Sequence, residues 1–265
     1  MPEQGKTLIM KFGGAAVRTP QSFAHIADLI IKRSSTFSRI AIVISAMGGM
    51  TDHLISLAYE VNKAPPRREY DMLVSTGERI SVSLLAMALA AKGREAVSFT
   101  GSQSGIITSN EHTEARIVDV RPYRLIPHLD EKKFVIVAGF QGVSKEKEIT
   151  TLGRGGSDTT AVALGIALKA EKVEFYKDVQ GIFINDPKIT SDASLCPSLS
   201  YTEAFEIVSR TGGQVLHPRA ILLAQKNMLP LHIRSFLTME EEGTLIYSES
   251  LKSTEPKYED TVFTD

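Results

Sequence analysis

The stretch Thr150-Thr151-Leu152-Gly153-Arg154-Gly155-Gly156-Ser157-Asp158-Thr159-Thr160 sets three glycines, one fixed cation, one carboxylate and several hydroxyls side by side. It lies between the apolar run 134–138 and the alanine-rich, helix-prone run 161–170, so a strand, a polar glycine loop and a helix start are predicted. Glycines let a main chain approach a ligand closely, and a helix N-terminus offers free N–H groups to an anion. Arg154 suits a carboxylate or phosphate, because its planar fork donates two parallel hydrogen bonds. Asp158 has two candidate roles, holding an ammonium group or capping the helix. The plainer alternative is a capped turn, with Ser157 or Asp158 as N-cap and the glycines as spacing. The length of the polar run and a second glycine loop, Phe12-Gly13-Gly14, favour a ligand site.

Working outward, the chain alternates short apolar strands with helical stretches. Residues 8–12 read as a strand ending at Gly13-Gly14, and 20–32 as a helix with Phe23, Ile26, Ala27 and Ile30 on one face. The β-branched run 40–45 stops at Ser45-Ala46-Met47-Gly48-Gly49, after which Thr51-Asp52 is positioned to cap a helix. Pro65-Pro66 breaks that helix, and 71–92 reads as one long helix interrupted at Gly77. Further strands are predicted at 96–100, 134–138, 173–176, 231–234 and 244–247, and further helices at 122–129, 201–210 and 218–225; the region 106–113 has no clear reading, and 248 onward reads as a loose polar tail. Such alternation implies a largely parallel sheet covered on both faces, with ligands at the carboxyl ends of its strands.

Composition narrows the function classes. The 265 residues are 43% hydrophobic and 23% charged, which suits a sizeable core, and the net charge of −1 with dispersed Lys and Arg gives no basic surface for nucleic acid or anionic membranes. One cysteine, Cys196, allows no intramolecular disulfide and no metal cluster. No signal-peptide core is visible, no apolar run approaches the roughly 20 residues of a membrane span, and a cytoplasmic location is expected. There is neither a Walker-type loop nor a dinucleotide fingerprint. Lys11 before Gly13-Gly14, Arg154, and the carboxylates Glu78, Asp158 and Asp178 instead suit a phosphorylated nucleotide beside a zwitterion, although a lone lysine at a strand end is ordinarily solvated.

The motifs Lys11-Phe12-Gly13-Gly14, 43–48 with Thr51-Asp52, 71–78, Ala138-Gly139-Phe140-Gln141-Gly142, 150–160, Asp178-Val179 with Gly181, Asp186-Pro187 and 215–220 run in one order from residue 7 to about residue 247. On these the chain resembles aspartate kinases of the amino-acid kinase superfamily. The resemblance implies a three-layer αβα sandwich with an open, mainly parallel central sheet. It further implies a kinase domain over 1–247, with an amino-acid lobe to about 150 and a nucleotide lobe over about 151–247; members of the family usually continue into paired ACT regulatory domains, and the expectation here is instead a polar tail 248–265 without them. The implied reaction moves the γ-phosphoryl group of Mg-ATP to the β-carboxylate of L-aspartate. Arg154 would clasp the α-carboxylate, Glu78 and Asp158 would face the ammonium, and Ser45, Thr51 and Ser157 would line the pocket. Lys11, Gly13 and Gly14 would hold phosphates, with Asp158 fixing Lys11. Asp178, Phe183, Asp186 and Lys188 match the nucleotide side, to which Lys177 is added. A homodimer is the expected assembly, and a separate regulatory subunit stays open.

The sequence also departs from the family pattern. Ala15-Ala16 replaces Thr-Ser, so two hydroxyls that could bond phosphate or substrate are expected to be missing, Lys177 replaces Thr with a solvated side chain expected, Gln214 stands where many members carry lysine, and Ser102 where many carry tryptophan. Two other readings follow: a drifted relative with a different amino-acid substrate, and a non-catalytic ligand-binding homologue.

Overall fold

The computed structural model describes residues 6–184, 193–213, 215–238, 241–248 and 255–259. The first half contains β1 (Thr7–Phe12), α1 (Ser22–Arg33), β2 (Arg39–Ile44), α2 (Met50–Val61), α3 (Arg67–Val74), α4 (Thr76–Ala91) and β3 (Ala96–Phe99). Then come β4 (Ile106–Thr108), β5 (Ile117–Val120), α5 (Ile126–Asp130), β6 (Phe134–Ala138), β7 (Gln141–Ser144) and β8 (Ile149–Thr151). The second half holds α6 (Gly156–Ala167), β9 (Lys172–Lys177), β10 (Ser198–Leu199), α7 (Tyr201–Arg210), α8 (Pro218–Asn227), β11 (Leu231–Ser235) and β12 (Thr244–Ile246).

Eight strands form the main sheet in the order β10-β12-β11-β9-β1-β2-β6-β3, parallel throughout except at the β11–β12 pair. β1, β2 and β6 are buried along their whole length, which is why they read as continuous apolar runs rather than alternating ones. Alternation nevertheless decides what each side chain touches. Leu8, Met10 and Phe12 join a core with Phe23, Ile26 and Ile30 of α1 and Val82, Leu85 and Leu89 of α4. Ile9, with Val173 and Phe175, joins the opposite core of α6, α7 and α8. The expected three-layer αβα sandwich is thus present.

Four departures from the sequence reading bear on the site. A second, four-stranded sheet, β5-β4-β7-β8, stands between β6 and the glycine loop, so the loop leaves β8 rather than β6. The long helix predicted over 71–92 is two helices that meet at Ser75. The 67–91 stretch is apolar and long enough by composition to cross a bilayer, but it packs on α1, β2, β3 and β6 and carries the buried acids Asp71 and Glu78, which marks a core element. Thr51-Asp52 does not cap α2; Gly49, at φ 80°, precedes it and supplies no side-chain hydrogen bond. Last, the polar tail is not loose throughout, because Glu259 is buried and ion-paired to Arg219.

Candidate active site

The glycine loop shows why its residues are what they are. Gly153 and Gly155 adopt φ of 69° and 70°, the left-handed region that costs a side-chain-bearing residue energy. A Cβ on Gly155 would also lie 2.1 Å from Cγ of His217. Gly155 is the residue preceding α6, and neither Ser157 nor Asp158 caps the helix. The capped-turn alternative therefore fails, and the Asp158 carboxylate is free for other contacts.

Those contacts are cations. Asp158 Oδ1 lies 2.6 Å from Lys11 Nζ and Oδ2 lies 3.5 Å from Lys177 Nζ, while His217 N donates to Oδ2 at 3.3 Å. Strand register accounts for this geometry. β9 pairs with β1 in parallel, with Lys11 opposite Phe175, so Lys11 and Lys177 project from the same face, toward the start of α6. A solvated Lys177 was the expectation from sequence; its side chain is 15% exposed and Lys11 is buried, because the sheet carries both under the helix. Burial by itself would raise the Asp158 carboxyl, but Lys11 and then Lys177 hold it well below the usual carboxylate range. Burial depresses Lys177, with Asp158 opposing and Lys11 adding to the depression.

A cavity of about 990 Å³ opens above this cluster, and Lys11, Ser45, Thr51, Glu78, Arg154, Ser157 and Asp158 all line it. Seven residues expected from sequence to share a site are thus brought together from β1, the end of β2, α2, α4, the β8–α6 loop and the first turn of α6. Glu78 sits in the first turn of α4, where Oε1 accepts from Ala46 N at 3.1 Å. Its Oε2 is buried with no hydrogen-bond partner among the described residues. Burial pushes the Glu78 carboxyl up to about 7, against the smaller pull of the Ala46 amide and Lys11. Arg154 is exposed on the loop and forms no ion pair among the described residues, which leaves its fork free for a ligand.

Gly13 and Gly14 form the turn beside the cluster, and a Cβ on Gly13 would lie 3.4 Å from Lys11 Nζ. Ala15 is exposed, but Ala16 is packed into the α1-side core with Phe12 and Val17. A hydroxyl at position 16 would therefore be buried among apolar groups, which corrects the expectation that both alanines remove ligand-facing hydroxyls. Asp178 is exposed and Phe183 bridges to Leu195, and neither lines the cavity. Asp186, Lys188 and Gln214 lie outside the described residues.

Sequence reasoning missed one wall of the cavity. Asp71 is wholly buried; it accepts from Thr151 Oγ1 at 2.6 Å and Thr113 N at 3.0 Å, and His112 Nδ1 lies 2.8 Å away. It thereby ties β8 and the 112–113 turn to α3, and Thr113, Glu114 and Thr151 line the cavity. The only signal for this was an acid in the predicted apolar helix, which burial makes costly unless it is hydrogen-bonded.

A buried carboxylate held between two lysines at the carboxyl ends of parallel strands, with a free arginine and an acid on the same cavity, suits a small ligand bearing both charges. The sequence model of the amino acid kinase family matches residues 6–235, and the chain belongs to that family. It is 47% identical over 243 residues to aspartokinase 2 of Bacillus subtilis, across 92% of this chain and 59% of that protein. The crystal structure of aspartate kinase from Synechocystis superposes with a TM-score of 0.83 at 40% identity, over 93% of this chain and 40% of that one. Aspartokinase III of E. coli in complex with aspartate and ADP gives a TM-score of 0.81 at 26% identity, over 93% and 65%. The chain thus spans 59% of the length of the curated B. subtilis relative.

Proposed function

We propose that this chain is the catalytic unit of an aspartate kinase, transferring the γ-phosphoryl group of ATP to the β-carboxylate of L-aspartate to give 4-phospho-L-aspartate and ADP. The observation that carries this reading is the buried Lys11–Asp158–Lys177 cluster beneath a cavity that also bears Arg154 and Glu78. Two ammonium groups share one carboxylate, so the cluster holds an excess positive charge in a poorly solvated place. A phosphoryl group in transfer is the anion that such an excess stabilises. The complex of E. coli aspartokinase III with aspartate and ADP supports the choice of substrates.

In this reading Arg154 pairs with the α-carboxylate and Glu78 with the ammonium, leaving the β-carboxylate to point at Lys11. A carboxylate oxygen forms the new bond to the γ-phosphorus as the bond to the β–γ bridging oxygen breaks, and ADP leaves with that electron pair. The acceptor is already ionised at neutral pH, so no general base is required. Magnesium carried on the nucleotide would neutralise phosphate oxygens. The amino-acid lobe over about 1–150, the nucleotide lobe over about 151–247, a homodimer, a cytoplasmic location and a role in lysine and threonine biosynthesis belong to the same proposal.

The test is ADP release measured with and without L-aspartate and with other amino acids, together with hydroxylamine trapping of the acyl phosphate. Release that depends on L-aspartate and yields the hydroxamate is expected. Release that another amino acid drives better, or that needs none, overturns the substrate assignment.

Two further outcomes follow from the charges. Glu78 pairs with an ammonium only when ionised, so the KM for aspartate falls as pH rises from 6 to 8, with a midpoint near its raised carboxyl value of about 7. The sign for stability is opposite. The folded carboxyl is raised, so it keeps a proton that the unfolded chain has lost, and this contribution disappears as pH rises toward 7. Glu78→Gln should flatten the KM profile, and an unchanged profile would remove Glu78 from the ammonium site. Lys177→Met should lower kcat roughly 10- to 100-fold with little change in the KM for aspartate; a turnover within about twofold of the parent would make Lys177 only a counter-ion to Asp158.

A further inference from the structure

Arg219 does not line the cavity, yet its guanidinium reaches the carbonyls behind two of the cavity's wall segments. Nη1 donates to Leu152 O at 2.6 Å, and Nη2 donates to Ala115 O at 2.9 Å. Leu152 precedes Gly153 and Arg154, and Ala115 follows Thr113 and Glu114, four residues that line the cavity. The two segments are also bonded to each other, Ala115 N donating to Thr151 O at 2.9 Å. One planar fork therefore holds both segments of the wall at a set spacing.

The counter-ion to that fork comes from far along the chain. Glu259 accepts from Arg219 Nε and, at 2.6 Å, from Nη2, and both side chains are largely buried. Its second oxygen also accepts from Ile117 N at 2.8 Å, and its own backbone N donates to Ile117 O at 3.0 Å. Two residues earlier, Lys257 N donates to Asn227 Oδ1 at 2.8 Å and Asn227 Nδ2 returns a bond to Lys257 O at 2.7 Å. Tyr258 packs against the core on the α6 side. The segment 255–259 is docked by side chain and main chain together.

We propose that this segment is a brace for the cavity: Glu259 orients Arg219, Arg219 sets the pose of the wall and of the Arg154 loop, and docking of the segment is coupled to ligand binding in the cavity. A bidentate carboxylate restricts the guanidinium to one plane, and only in that plane do Nη1 and Nη2 reach both carbonyls. Glu259 and Arg219 are positioning residues. The ligand named in the test, L-aspartate, rests on the proposed function above.

Two readouts on the full chain test the brace, both taken well below the melting temperature with folding checked by circular dichroism. The first is the rate of trypsin cleavage after Arg154, followed by mass spectrometry without any ligand. Glu259→Gln is expected to speed it about fivefold or more, because opening of the loop exposes the site. The second is L-aspartate affinity by calorimetry, expected to weaken about tenfold with ADP affinity unchanged. Arg219→Lys, which keeps the charge but loses the fork, should move both in the same direction. A Glu259→Gln protein with a lower melting temperature but parental cleavage at Arg154 overturns the brace, and so does faster cleavage with parental aspartate affinity. If the parent chain binds no aspartate, the substrate reading falls, and the cleavage rates alone decide the brace.

Discussion

Lys11→Met lowers kcat by roughly a thousandfold while changing nucleotide affinity by less than about tenfold. Lys11 is the shorter of the two contacts to Asp158, at 2.6 Å against 3.5 Å for Lys177, and it faces the cavity from the carboxyl end of a fully buried central strand. A charge fixed in such surroundings acts most on charge that grows during the reaction, so its loss is felt in turnover more than in binding. The same substitution leaves Asp158 with Lys177 as its remaining cation. Because Asp158 owes its low pKa to both lysines, its carboxyl should shift up in the variant. Breaking a buried pair costs about 3 to 5 kcal/mol of stability when one charge is stranded; Lys177 should reduce that figure here. Steady-state rates at saturating aspartate and ATP, with a thermal melt of the same protein, provide the check. A kcat within about tenfold of the parent would take Lys11 out of the reacting centre.

Arg154→Ala abolishes useful aspartate binding and spares the nucleotide. Arg154 stands on a two-glycine turn that no other residue type enters without strain, and no ion pair among the described residues competes for its fork. Loss of one desolvated charge-assisted pair costs about 2 to 5 kcal/mol, roughly 30-fold or more in affinity. Arg154→Lys should recover only part of it, because an ammonium cannot donate two parallel bonds. Calorimetry with L-aspartate and separately with ADP decides the matter. If ADP affinity collapsed and aspartate affinity held, the amino-acid and phosphate ends of the cavity would be exchanged.

The central strands β1, β2 and β6 were legible in the sequence because a strand buried on both faces must be apolar throughout, and the glycine turns were legible because positive φ and close approach leave few alternatives. The charged residues at those turns pointed to a site because glycine turns have no structural need for Lys11 and Arg154 beside them. The second sheet was not legible, since β4, β7 and β8 are three or four residues long and owe their pairing to partners distant in sequence. Nor was the fate of Lys177, which depends on the β1–β9 register, or that of Ala16, which depends on which face the turn after β1 presents. Ser157 and Asp158 looked like caps because local hydrogen bonding favours them there, and a buried lysine on a neighbouring strand outcompeted that role for Asp158. Glu259 in a polar tail gave no sign of its burial. The sequence by itself determined where the glycine turns fall and which charged residues stand beside them as candidates for a site, through backbone and solvation rules that act over a few positions; only the tertiary structure decided which charges meet, because pairing across strands and burial by helices bring together groups that no local rule connects.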